Sequence, residues 1–183
     1  MTDLQLIEQA LDGNDHAFEQ IVRKYENRVA ATVIGMLGKC DAADDVGQEV
    51  FIRFYKVMHK FRGSANLGTY LTRIAINLSI NELKRRKRRL MFFSKPDDRP
   101  FPEPAGEPDD SAVNSEEKEL VQKAIQKLDT KFRSVVVLRL MEGYSTEETA
   151  KILSIPIGTV LSRLARAQKK LKVLLAPIIL EEV

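Results

Sequence analysis

The spacing of hydrophobic residues along the chain predicts helices throughout. Apolar residues recur at intervals of three and four, as on one face of an α-helix, and no run shows the period-two alternation typical of a strand. The pattern predicts four helices before a proline-rich segment, near residues 3–12, 16–37, 42–60 and 67–89. It predicts four more after that segment, near 115–128, 131–142, 146–153 and 157–175. We therefore expect an all-α protein.

Polar residues at the predicted helix starts agree with these boundaries. Asp41 and Asn66 stand at the N-cap positions of the third and fourth helices, where a side-chain oxygen accepts a hydrogen bond from an unpaired backbone N–H. Ser145 begins the sequence STEE, a capping box in which Glu148 occupies the third helical position.

Residues 91–114 interrupt the helical pattern. Five of the seven prolines lie between Pro96 and Pro108, and residues 94–111 carry six acids and two bases. Proline removes backbone donors and disfavours helix in the residue before it, and the acids repel one another. We predict a flexible acidic linker at 91–114 that joins two small helical domains, residues 1–90 and 115–183.

Composition narrows the class of protein. The chain has 183 residues, of which 44% are apolar and 30% are charged, as in ordinary soluble globular proteins. It has no apolar run of about 18 residues, and its first residues lack the apolar segment of a signal peptide. The single cysteine, Cys40, excludes an internal disulfide and a cysteine-built metal site. We expect a cytoplasmic protein that does not insert into a membrane.

The distribution of charge indicates nucleic acid as a partner. The net charge is only +3, but residues 62–89 hold eight bases and one acid, and residues 151–172 hold six bases and no acid. Two basic segments separated by an acidic spacer predict two contacts with a polyanion.

The stretch YSTEETAKILSIPIGTVLSRLARAQKKL predicts a helix-turn-helix. A seam of small apolar residues joins its two helices, namely Ala150, Ile152, Leu153, Ile155 and Val160. The second helix is expected to bury Ile157, Val160, Leu161, Leu164 and Leu171, and to present Thr159, Arg163, Arg166 and Lys170 on the opposite face. Basic patterning alone more often marks a solvated surface. The turn, the capping box and the absence of acid favour a helix that enters the major groove.

The helix predicted at 67–89 has a second candidate nucleic-acid face. Leu71, Ile74, Ala75 and Leu78 form its apolar stripe. The other face presents Tyr70, Arg73, Asn77 and Asn81, followed by a basic run that includes Lys84, Arg85 and Arg88. The amides can read base edges and the cations can bind phosphates. The pattern leaves open whether Tyr70 belongs to the core or stacks on a base.

The preceding helix presents an acidic face instead. Val46, Val50, Phe54, Val57 and Phe61 are expected to be buried. Asp45, Gln48 and Glu49 share one exposed face next to Ile52. Such a face repels DNA and favours docking on a basic protein surface, although a merely solvated face is the commoner outcome for this pattern.

Five segments in a fixed order resemble one family. The segments are AFEQIVRKYENRV, DDVGQEVFIRFYK, GTYLTRIAINLSINELKRR, LDTKFRSVVVLRLMEGYSTEETAKIL and IPIGTVLSRLARAQKKL. Together they resemble the bacterial sigma factors of the extracytoplasmic-function (ECF) group over nearly the whole chain. The resemblance implies sigma domain 2 at 1–90 and sigma domain 4, with its helix-turn-helix, at 115–183.

The resemblance also implies roles for particular residues. It implies a non-enzymatic alternative sigma factor that binds core RNA polymerase and promoter DNA and is controlled by an anti-sigma factor, with no catalytic residue, cofactor or metal. Asp45, Gln48 and Glu49 match the motif that docks on the clamp helices of the polymerase β′ subunit, and the β subunit is a further expected contact. Arg73, Asn77 and Asn81 match the helix that recognises the minus-ten element and captures the opened strand. Thr159, Ser162, Arg163 and Arg166 match the helix that reads the minus-thirty-five element as duplex.

The chain departs from the family pattern at a few positions, and other functions compete. Leu161 stands where a basic residue is frequent, and Tyr70 where tryptophan is frequent. A DNA-binding regulator of the LuxR type shares a similar helix-turn-helix, but would usually carry an α/β receiver domain. An enzyme has little support, because no phosphate-cradling glycine loop, metal-ligand cluster or activated nucleophile is evident in the sequence.

Overall fold

The computed structural model describes residues 1–63, 65–93 and 114–180, and these residues contain helices and no strand. The prediction of an all-α fold is confirmed. The first half contains α1 (Asp3–Leu11), α2 (Asp15–Leu37), α3 (Asp41–Val57, continued by a 3₁₀ turn at Met58–Lys60) and α4 (Leu67–Phe93). The second half contains α5 (Asn114–Gln126), α6 (Thr130–Val136, continued by a π-helical turn at Val137–Met141), α7 (Thr146–Leu153) and α8 (Ile157–Leu180). Most of the predicted linker lies outside the described residues.

Capping at the helix starts follows the sequence in two of the three predicted cases. Ser145 and Glu148 form the expected capping box, with the Ser145 N–H donating to Glu148 Oε2 at 2.8 Å. The Gly68 N–H donates to Asn66 Oδ1 at 2.8 Å. The prediction for Asp41 is wrong: Cys40 occupies the N-cap position of α3 without a side-chain cap, and Asp41 is the first helical residue. An acid there still complements the positive end of the helix dipole.

Each half has a hydrophobic centre built from the predicted stripes. In the first half, Ile21, Phe54 and Leu71 are almost completely buried where α2, α3 and α4 meet. In the second half, Val160 and Ala167 of α8 are fully buried against the helices before it. The two charged outer faces of α4 and α8 are therefore held on packed helices, not on loops.

The two halves also pack against each other around the end of α2. Ile34, Gly35 and Met36 lie in the last turn of α2, where carbonyl groups run out of backbone donors. The Gly38 N–H at the C-cap donates to Ile34 O at 2.8 Å. These three carbonyls accept hydrogen bonds from side chains of the second half. The donors are Gln122 Nε2 to Ile34 O (2.8 Å), Gln126 Nε2 to Gly35 O (2.9 Å) and Arg133 Nη1 to Met36 O (2.7 Å).

Apolar packing and one buried hydrogen bond extend this contact. A Cβ atom added at Gly35 would approach Val137 Cγ2 to 3.0 Å, so a side chain there would push on the second half. Tyr144 OH donates to Thr72 Oγ1 at 2.9 Å in a buried position. The described residues of the two halves thus form one closed body.

Candidate nucleic-acid interface

The exposed face of α4 carries the residues predicted to meet a DNA strand. Leu71 and Ala75 are buried beneath it, whereas Arg73, Asn77 and Asn81 are exposed at successive turns. The amphipathic pattern of this helix therefore places the three polar side chains on one side, as the sequence predicted. Two amides and one guanidinium on this face supply donors and acceptors that match base edges.

Tyr70 belongs to both the core and the surface. Its ring packs edge-on against Phe61 with centroids 5.3 Å apart, and against Phe54 at 6.0 Å. It is half-buried and lines a cleft of about 270 Å³ between α3 and α4. The cleft is lined by Arg53, Lys56, Val57, Tyr70, Ile74, Asn77 and Leu78. The cleft therefore combines an apolar floor with two cations and one amide.

The basic end of α4 is only partly available to a ligand. Lys84 and Arg88 are exposed. Arg85 is exposed too, but its Nη2 lies 2.7 Å from Oε2 of the buried Glu82, whose other oxygen pairs with Arg86 at 3.2 Å. Glu82 thus offsets part of the positive charge, and Arg85 contributes less to a phosphate surface than its position in the run suggests.

The second helix of the predicted helix-turn-helix, α8, presents its predicted residues unequally. Ser162 and Arg166 are exposed, whereas Thr159 and Arg163 are half-buried. Ser162 Oγ donates to Thr159 O at 3.1 Å within the helix. The most exposed side of α8 is therefore centred on Ser162 and Arg166, not on Thr159 and Arg163.

Lys170 is turned toward the protein. Its ammonium lies 3.1 Å from Asp129 Oδ2 and 4.9 Å from the centroid of the Phe132 ring. A DNA phosphate would have to compete with Asp129 for this cation. Lys169, which the sequence reasoning did not single out, is exposed beside it.

Two residues of α8 that were predicted to be buried are exposed. Ile157 is 47% exposed and Leu161 is 53% exposed. Successive residues of a helix are about 100° apart, and the buried arc is centred on Val160 and Ala167. Leu161 follows Val160 directly, so it falls outside that arc.

The acidic face belongs to a different helix, α3. Asp45 and Gln48 are exposed, and Glu49 is half-buried with its Oε1 accepting from Arg53 Nε at 2.8 Å. Ile52 is 46% exposed beside them. The structure brings the predicted acidic group together on one helix, with an apolar neighbour available for protein contact.

In the described part of the chain, no group of three or more His, Cys, Asp or Glu side chains is arranged to hold a metal ion. Within the same residues, no helix has the length and apolar character needed to cross a membrane.

Nothing in the sequence indicated the contacts between the two halves. Arg73 of α4 lies 3.4 Å from Ser154 Oγ in the turn of the helix-turn-helix. Arg28 of α2 lies 3.7 Å from Glu142, and burial raises the pKa of that carboxyl. Residues this far apart in the sequence give no local signal of contact. In this structure, α4 therefore meets the turn that precedes α8.

Comparison with known proteins agrees with this architecture. Residues 21–89 match the family model described as Sigma-70 region 2, and residues 118–171 match the one described as Sigma-70, region 4. The RNA polymerase sigma-H factor of Pseudomonas aeruginosa is 32% identical over 98% of this chain and 96% of that protein. The ECF RNA polymerase sigma factor SigW of Bacillus subtilis is 33% identical over 91% of this chain and 92% of that protein.

A solved structure with a similar fold is also known. The sigma factor RpoE from Bartonella quintana, in complex with the anti-sigma factor NepR, has a TM-score of 0.72 and 26% identity, and covers 87% of this chain and 96% of that one. The predicted family resemblance is thus confirmed at both the sequence and the fold level: the chain belongs to the extracytoplasmic-function group of the sigma-70 family.

Proposed function

We propose that this protein binds core RNA polymerase and directs transcription initiation at particular promoters. The observation that carries the proposal is the separation of one acidic and two nucleic-acid-type faces on three packed helices of a sigma-70 family member. The polymerase supplies the chemistry, and this chain supplies recognition in the cytoplasm, where the polymerase works. We infer the roles of individual residues from their exposure, their geometry and the family resemblance.

The exposed face of α4 is suited to hold an opened DNA strand near the minus-ten element. Asn77 and Asn81 can each form paired hydrogen bonds with an adenine edge, and Arg73 can meet a phosphate. The adjoining cleft of about 270 Å³ is lined by the aromatic Tyr70 and two cationic side chains. Stacking and cations together favour a single strand over a duplex.

The first turns of α8 are suited to read the minus-thirty-five element as duplex. Arg166 and Ser162 are exposed and point outward, with Arg163 at the edge of the same surface. Arginine is the commonest partner of guanine in the major groove. Lys170 would add a phosphate contact only at the expense of its pair with Asp129.

The acidic face of α3 is suited to dock on the clamp helices of the polymerase β′ subunit. Asp45, Gln48 and Glu49 provide charge and hydrogen-bonding groups, and Ile52 provides an apolar contact. Opposite charges across an interface raise the association rate and fix orientation.

Promoter recognition requires the closed body to open. Arg73 and Ser154 are 3.4 Å apart, whereas the two promoter elements are about 25 base pairs, or about 85 Å, apart along B-DNA. The twenty residues between Phe93 and Asn114 could span roughly 70 Å when extended. We propose that core polymerase separates the halves, and that an anti-sigma factor, like the one bound to the Bartonella quintana relative, prevents engagement.

Transcription in vitro tests the proposed function. Core polymerase with this chain should initiate from a subset of genomic fragments that core alone does not transcribe. Asp45→Arg should weaken binding to core through charge repulsion, while Glu8→Arg, at an exposed acid of α1, should not. DNA binding without any affinity for core would instead identify a conventional helix-turn-helix regulator.

A further inference from the structure

The recognition helix carries an apolar row beside its polar row. Residues four apart in a helix follow one another along its surface. Ile157, Leu161 and Ala165 form one such row, and all three are exposed. Gly158, Ser162 and Arg166 form the neighbouring row, which is also exposed.

Nothing in the described protein covers the apolar row. Neither Ile157 nor Leu161 packs against any of the three hydrophobic clusters. A single exposed leucine is ordinary on a protein surface. Here, however, two large apolar side chains occupy the first turns of α8. These turns lie in a 22-residue stretch, residues 151–172, that has six bases and no acid.

The surroundings allow DNA to approach this row closely. A Cβ atom added at Gly158 would meet no atom within 4 Å, so the helix start is open on that side. Ala165 continues the row with a side chain of one carbon. The positive charge of Arg163, Arg166 and Lys169 favours a polyanion as the occupant and disfavours a basic protein surface.

The only methyl group in the major groove belongs to thymine. An apolar row next to this polar row can therefore distinguish thymine by contact with its methyl group, while Arg166 reads guanine. We propose that Leu161 is a specificity-determining residue that contacts a thymine methyl in the minus-thirty-five element. This inference rests on the proposed function of α8 and concerns a position where the family frequently has a basic residue.

The methyl group can be removed without any other change to the DNA. A promoter recovered by transcription from genomic fragments is rebuilt with deoxyuridine in place of each minus-thirty-five thymine in turn, and its affinity for the holoenzyme is measured. The wild-type holoenzyme should bind one of these duplexes about three- to fourfold more weakly, as expected for the loss of one buried methyl contact. Leu161→Ala should bind the thymine and uracil forms of that duplex equally.

Val173→Ala provides the matched control, because Val173 is a 70% exposed apolar residue of the same helix, three turns beyond Leu161. This variant should keep the wild-type preference for thymine.

Equal binding of wild type to every thymine and uracil pair would overturn the inference, as would a preference that survives in Leu161→Ala. A Leu161→Ala variant that loses affinity for core polymerase and keeps its thymine preference would assign the row to a protein contact instead. Failure to select any promoter would refute the proposed function itself.

Discussion

Replacing Arg133 with methionine should destabilise the closed body, because this buried side chain joins the ends of two helices. Its guanidinium donates to Met36 O at the end of α2 (2.7 Å), and to Leu128 O (3.1 Å) and Gln126 Oε1 (2.9 Å) at the end of α5. A further hydrogen bond reaches Gln126 O. No carboxylate lies among these partners, so the charge is held by carbonyl groups and by the negative ends of helix dipoles.

Two opposing energies decide the size of the effect. Burial lowers the pKa of Arg133 to about 10 from an ordinary 12.5, so the protein interior disfavours the charged form of this side chain. Each hydrogen bond from a charged donor contributes about 1.5–3 kcal/mol, and there are four. Methionine would remove the buried charge, but it would leave the carbonyl groups at two helix ends without these donors, and an unsatisfied buried acceptor costs about 1–3 kcal/mol. We therefore expect Arg133→Met to lower the free energy of unfolding by about 3 kcal/mol.

Urea unfolding followed by circular dichroism measures this change. Lys127→Met is the matched control, because Lys127 is an exposed cation one residue beyond α5, and its replacement should change stability by less than about 0.5 kcal/mol. If Arg133→Met were as stable as wild type, the burial cost would equal the benefit of the hydrogen bonds, and the reasoning about this junction would be refuted.

Three further predictions test the proposed sites and the junction between the halves. Arg163→Ala and Arg166→Ala should each weaken binding to the minus-thirty-five duplex by about 1–3 kcal/mol in equilibrium titrations; unchanged promoter choice in both variants would mean that this face is only solvated. The double variant Asn77→Ala, Asn81→Ala should bind core and duplex normally but show less permanganate reactivity at the minus-ten region, and a template mismatched there should restore opening; normal opening on the matched template would refute the assignment. Burial raises the pKa of Glu142, so the folded state binds this proton more tightly than the unfolded state does. Wild type should therefore gain stability relative to Glu142→Gln as the pH falls from 7 toward 4.5 in urea titrations, and a difference that does not vary with pH would contradict this.

The sequence predicted the helices well, because their signals are local. The apolar spacing that includes Leu71 and Ala75 depends on residues within two turns of one another. The capping box at Ser145 does as well. The error at Asp41 has a local cause as well: an acid favours both the N-cap and the first turn, and sequence alone does not separate the two positions.

The misplacement of Ile157 and Leu161 shows the limit of periodicity. Each lies within one residue of a position that an apolar stripe would occupy. A step of one residue turns a side chain by about 100° around the helix, and both side chains are exposed in the structure. Their exposure on a basic helix is the feature that points to thymine recognition. The spacing of apolar residues along the sequence does not show how wide the buried face of the helix is.

The junction between the halves had no signal in the sequence. Gln122 and Arg133 are polar and would ordinarily be placed at the surface, yet they donate to carbonyls 88 and 97 residues away. Carbonyl groups at the end of a helix lack donors in the next turn, but the side chains that donate to Gly35 and Met36 are set by the tertiary fold. The candidate site could therefore be predicted helix by helix, while the closeness of its two DNA-reading parts could not.

The distance between α1 and α8 in an active promoter complex tests the central claim most directly. Fluorescent labels at the exposed Gln9 and Lys172, in a Cys40→Ser background, would report energy transfer in the free chain, with core polymerase, and on a promoter that yields transcript. We expect higher transfer in the free chain than in the transcribing complex, because the halves move toward elements about 85 Å apart. Unchanged transfer in a complex that makes transcript would contradict the assignment of the two halves to two promoter elements.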